Sequence, residues 1–147
     1  MKFAERLARE SDGSWSEHYV SYDTLKRIIK RRDADDFPAA LVAEVSRASW
    51  FFHAQEDLLQ HTMNEMLKSK SRGASVDVVA LHDIKVDAAK LQKFQVLNYL
   101  AVVKAVKKYN RWLAAPEAGN ARLSAIHFMY VLQAATPPLL APYPSSF

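Results

Sequence analysis

The chain of 147 residues contains no cysteine. That excludes disulfides, thiolate metal sites and cysteine nucleophiles, and it is in keeping with a reducing compartment. Only three glycines are present, so glycine-rich phosphate cradles have little to be built from, and neither a P-loop nor a GxSxG or HExxH motif occurs. No catalytic residues and no cofactor are expected. No apolar run approaches the roughly 20 residues of a membrane span. The opening MKFAERLARE is charged throughout, unlike a secretion signal. Strand signals are missing too, with no sustained alternation of apolar and polar residues. A cytoplasmic protein is expected, with the nucleus or the cytosolic face of a membrane protein as other settings.

What is present is helix. Half of the residues are hydrophobic, enough for a core at this length. The pattern predicts a first helix over residues 2–10, then a turn at SDGS. Ser14 and Glu17 form a capping-box pattern, predicting a second helix from Trp15 to about Arg32. A third helix is expected from Phe37 or Pro38, with Asp36 as its candidate cap, ending at SKSRGAS where Gly73 is the stop signal. Its core stripe reads Leu41, Val45, Ala48, Phe52, Leu59, Met63 and Met66, leaving Trp50 and Phe51 partly off the stripe. A fourth helix, capped by Ser75, is expected from Val76 to Leu113, with Ile84, Ala88, Leu91, Phe94, Ala101, Ala105 and Trp112 inward. A short fifth helix is expected between Leu123 and Ala135. The predicted architecture is all-α: an N-terminal helical hairpin packed on a bundle with two long antiparallel helices, plus a short C-terminal helix. Residues 1–136 form the predicted domain, and residues 137–147 a Pro-rich tail, extended or disordered.

The formal charge of +4 is unevenly distributed. Residues 1–32 hold eight Lys/Arg against five Asp/Glu, and residues 76–115 hold seven against three. The intervening residues 33–75 hold four against seven. Two basic segments brought together make an anion site. The sharpest cluster is KAVKKYNR, in which Lys104, Lys107, Lys108 and Arg111 share one arc of a helical wheel while Ala105, Val106, Tyr109 and Trp112 share another. Such neighbours repel by about 0.2–0.5 kcal/mol each on a free helix. On the second predicted helix, Tyr22, Lys26 and Lys30 are spaced i, i+4, i+8 and form a second stripe. A tyrosine hydroxyl among lysines suits a phosphate oxygen, because it donates a hydrogen bond without adding charge. His53 with Glu56, and His61 with Glu65, have helical spacing but read as solvated or salt-linked pairs, and no metal site is expected.

These residues also carry a family resemblance. MKFAERL is similar to the opening of the SPX domain, the helical module of many phosphate-homeostasis proteins. Trp15, Tyr19, Tyr22, Leu25, Lys26, Ile29 and Lys30 follow its W-x-x-x-Y-x-x-Y-x-x-L-K-x-x-I-K pattern. Leu41 and Glu44 lead to the aromatic pair Phe51 and Phe52, and Leu97, Asn98, Lys104, Lys107, Lys108 and Tyr109 resemble the family's last lysine-rich motif. Asn110 and Arg111 stand where that motif usually has Asp and Lys. The resemblance covers about residues 1–113. It implies a sensor, not an enzyme, that binds inositol polyphosphates, including inositol hexakisphosphate and the inositol pyrophosphates. The implied phosphate-binding group is Tyr22, Lys26 and Lys108, surrounded by Lys104, Lys107 and Arg111, with Lys2 and Lys30 at the rim. It further implies a protein partner, or an attached enzyme or transporter domain, that receives the signal. The main alternative is a basic helical nucleic-acid-binding or protein-interaction module, although no DNA-binding motif is apparent.

Overall fold

The computed structural model describes residues 2–31 and 36–113. Within them lie four α-helices and one short 3-10 helix. Helix α1 spans Phe3–Glu10, the 3-10 helix Gly13–His18, α2 Tyr22–Lys30, α3 Asp36–Ser71 and α4 Val78–Leu113. The fifth helix and the Pro-rich tail of the prediction lie outside the described residues.

Helices α3 and α4 are each 36 residues, about 54 Å at 1.5 Å per residue. They run antiparallel: Phe37 stacks on Tyr109 at one end of the contact, and Phe51 meets Phe94 further along. Gly73 reverses the chain between them with φ +88°. Its N–H donates to the Lys70 carbonyl and that of Ala74 to the Ser69 carbonyl, each at 3.1 Å. That pair closes the end of α3 as a Schellman motif, whose left-handed position suits glycine.

The other elements cover one end of this hairpin. Leu25 and Ile29 of α2, together with Tyr19 and Val20, join Phe37, Leu41, Val45, Ala48 and Phe51 of α3 and Phe94, Leu97, Ala101, Val102, Ala105, Val106 and Tyr109 of α4 in one apolar cluster. Helix α1 buries no residue fully and rests on the cluster through Phe3 and Leu7. The distal part of the hairpin has no third layer among the described residues. Leu58, Leu67, Val78 and Val79 are exposed there.

The second predicted helix is broken. A 3-10 turn ends at His18, Tyr19 is extended with ψ 151°, and α2 begins only at Tyr22. Tertiary partners take the backbone groups that a continuous helix would have paired. Asn98 Oδ1 accepts the N–H of Val20 at 2.7 Å, and the Arg47 guanidinium donates to the carbonyls of Glu17 and Tyr19. The cap is Asp12, not Ser14: its carboxylate accepts the Ser14 N–H at 2.9 Å. Helix α4 likewise starts two residues later than predicted, because Asp77 accepts the N–H groups of Val79 and Ala80 at 3.0 and 3.1 Å, displacing Ser75 as the cap.

Two core assignments also change. Met63 is 40% exposed, where no third layer covers the hairpin, and Ala88 is exposed as well, although Ile84 one turn further out is buried. Phe51 is buried and stacks on His18 with ring centroids 3.8 Å apart, while Trp50 is exposed. The 3-10 helix creates that extra core position by supplying Trp15 and His18 over Phe51.

Candidate functional site

Tyr22 opens α2. The turn before it is held by Ser21, whose N–H donates to Glu44 Oε2 at 3.3 Å and whose hydroxyl lies 2.7 Å from Thr24 Oγ1. The Tyr22 ring meets Phe3 of α1 edge-on, with centroids 5.1 Å apart and planes at 87°. Lys26, one turn further along α2, sets its Nζ 5.1 Å from the Tyr22 ring centroid. Lys104 of α4 sets its Nζ 6.0 Å from the Phe3 ring centroid. A continuous line of contacts, Lys104–Phe3–Tyr22–Lys26, therefore joins α4, α1 and α2. Electron-rich ring faces attract both ammonium groups.

Helix α2 runs in the same sense as this part of α4. Val20 just before it is bonded to Asn98, and Phe37, in the first turn of α3, stacks on Tyr109 further along α4. Lys26 lies one turn beyond Tyr22, and Lys108 lies one turn beyond Lys104, a rise of about 6 Å in each helix. Lys104, Lys107, Lys108 and Arg111 are all exposed, because Ala101, Val102, Ala105, Val106 and Tyr109 occupy the buried side of α4. Among the described residues no carboxylate lies within ion-pair distance of these four cations. Lys30 is exposed at the end of α2, and Lys2 is exposed immediately before α1. The contacts thus bring together Tyr22, Lys26 and Lys104. Lys2, Lys30, Lys107, Lys108 and Arg111 occupy exposed positions on the same three elements or at their ends.

Two further residues have roles at this surface. Phe3 is the spacer between Tyr22 and Lys104, and its signal was its place in MKFAERL. Asp23 pairs with Lys26 at 2.9 Å and is 73% exposed. The i, i+3 spacing was visible, but the choice of Asp23 as the partner of Lys26 was not.

A second cluster lies on the 3-10 helix. Lys90 of α4 places Nζ 4.0 Å from the Trp15 ring centroid, 3.3 Å from Asp12 Oδ2 and 3.1 Å from Ser14 Oγ. Hydrogen bonds from Ser14, with help from Lys90, hold the Asp12 carboxyl below its ordinary range. Burial pushes the Tyr19 hydroxyl up, and that hydroxyl accepts the Asp12 N–H at 3.1 Å. Lys90 is committed to this internal latch. A groove of about 550 Å³ between α1, the 3-10 helix and the start of α2 is lined in part by Tyr22, Asp23 and Arg47. The Arg47 guanidinium is spent on two backbone carbonyls and Glu44.

His53 Nδ1 lies 3.7 Å from Glu56 on the exposed side of α3, and Glu65 pairs with Lys68 at 3.2 Å. Among the described residues no three His, Cys, Asp or Glu side chains are grouped closely enough to hold a metal ion. No helix among them is long and apolar enough to cross a membrane.

Four known proteins align with the chain. SPX domain-containing protein 5 of Oryza sativa subsp. indica is 31% identical over 130 residues, 76% of this chain and 51% of the relative. SPX domain-containing protein 6 of Oryza sativa subsp. japonica is 31% identical over 140 residues, 83% of this chain and 60% of the relative. Vacuolar transporter chaperone complex subunit 4 of Schizosaccharomyces pombe is 29% identical over 154 residues, which is 87% of this chain but 21% of that subunit. The chain spans roughly half to three fifths of the length of the rice proteins it matches. No family model matches it, and no solved structure does.

Proposed function

The chain belongs to the SPX-domain family, and on that premise we propose that it is a sensor of inositol polyphosphates, the inositol pyrophosphates in particular, acting in phosphate homeostasis. The ligand-binding group in this proposal is Tyr22, Lys26 and Lys108, with Lys104, Lys107 and Arg111 around them and Lys2 and Lys30 at the rim.

One observation carries the reading: cations from helices far apart in sequence face the same aromatic pair, Phe3 and Tyr22. A compact polyanion collects Coulomb attraction from several ammonium groups at once, which inorganic phosphate is too small to do. The site is open to solvent, so its affinity falls as salt rises.

The role is regulatory, not catalytic. A ligand held by both α2 and α4 stabilises one arrangement of the two, and the shift is as large as its differential affinity for the bound arrangement. The recipient is a partner protein or an attached domain. In the fission-yeast relative the aligned region is a small part of a much longer chain, which supports the second form of output.

Retention on a resin bearing an inositol pyrophosphate tests the proposal. Wild-type protein is retained and eluted by free inositol hexakisphosphate, and the Tyr22→Phe/Lys26→Ala/Lys108→Ala variant flows through. Equal retention of both proteins contradicts it.

A further inference from the structure

The Asp23 carboxylate sits 2.9 Å from the Lys26 ammonium at the edge of the proposed site. Lys26 thus has an anion of the protein's own beside it. Any polyanion that reaches Lys26 must approach Asp23 as well, and each of its negative charges is repelled by that carboxylate.

We infer that Asp23 is a set-point residue: its charge weakens polyanion binding at Lys26 and so raises the ligand concentration at which the site fills. This rests on the proposed function above. The opposite role, holding Lys26 ready for the ligand, is the weaker effect. An exposed ion pair of this kind adds little order. The Tyr22 ring also lies under the same ammonium at 5.1 Å, so Lys26 keeps a second partner when Asp23 is neutralised. Repulsion, by contrast, grows with every phosphate the ligand carries. The effect of Asp23 therefore depends on ligand charge.

The test is a calorimetric titration of the full chain with inositol hexakisphosphate and with an inositol trisphosphate, at low and high salt. The proteins are wild type, Asp23→Asn and Glu65→Gln. The Glu65→Gln variant removes one acid far along α3, where Glu65 pairs with Lys68, and so controls for net charge alone. Asp23→Asn tightens hexakisphosphate binding by about fivefold at low salt. The gain is smaller for the trisphosphate and shrinks at high salt, and Glu65→Gln leaves both affinities unchanged. An Asp23→Asn protein that binds hexakisphosphate no tighter than wild type overturns the inference, as does an equal gain in Glu65→Gln. Wild-type protein that binds hexakisphosphate normally alongside an Asp23→Asn protein without a gain defeats the set-point role alone. Wild-type protein that binds neither ligand defeats the site itself.

Discussion

The side-chain oxygen of Asn98 accepts the backbone N–H of Val20 at 2.7 Å, across 78 residues of sequence and inside the core. The same amide donates to the Phe94 carbonyl at 2.8 Å, which fixes its orientation on α4. The bond anchors the segment entering α2 against the middle of α4. It thereby sets where Tyr22 and Lys26 fall relative to Lys104 and Lys108.

Replacing Asn98 with Ala leaves the buried Val20 N–H without its acceptor. The expected loss is about 1–3 kcal/mol of unfolding free energy, read as a lower urea midpoint with an unchanged slope. Asn98→Asp is no rescue. It restores an acceptor for Val20 but loses the donor to Phe94 and buries a carboxylate. Both variants bind inositol hexakisphosphate more weakly than wild type, because the register between α2 and α4 is loosened. An Asn98→Ala protein as stable as wild type contradicts the role given to this bond.

Phe3 is the spacer through which α4 meets α2. Phe3→Leu keeps an apolar side chain but removes the edge-on contact with Tyr22 and the ring beneath Lys104, at a cost of about 1 kcal/mol. Its affinity for hexakisphosphate falls severalfold, although no ligand-contacting residue has been touched. The substitution changes no charge, and titration of Phe3→Leu with its helical circular dichroism checked against wild type separates the local effect from a loss of fold. Wild-type affinity in Phe3→Leu shows that the spacer is dispensable.

Asp12 predicts an acid limb. Its folded-state pKa is lowered, chiefly by the hydrogen bond from Ser14. The stability it contributes is thus fully present above its ordinary value of about 3.9 and is lost as pH falls through the lowered folded value. Between pH 7 and pH 5 it is constant. In thermal scans across the acid range, Asp12→Asn has a shallower loss of stability below about pH 4 than wild type. Identical acid limbs contradict the assignment.

Much of the scaffold was legible because its signals are local. The apolar stripes of α3 and α4 have helical spacing, and Gly73 marks the stop of α3. The break at Tyr19–Ser21 was not legible. Ser14 and Glu17 present a sound local capping pattern, and it is overruled by Asn98 and Arg47, which are distant in sequence. Met63 was misplaced for a related reason: periodicity reports which face points inward, not how far along the helix a third layer extends. The lysines of α4 could be read from their shared arc. Their neighbours could not, since the contact to α2 passes through an aromatic ring at the other end of the chain.

The central claim is that Lys26 and Lys108 serve one ligand. Calorimetric titration with inositol hexakisphosphate tests it most directly, using wild type, Lys26→Ala and Lys108→Ala, each checked for unchanged helical circular dichroism. Each single substitution is predicted to weaken binding by about tenfold or more, as expected for the loss of a charged hydrogen bond. Wild-type affinity in either variant, with helicity intact, contradicts the shared site.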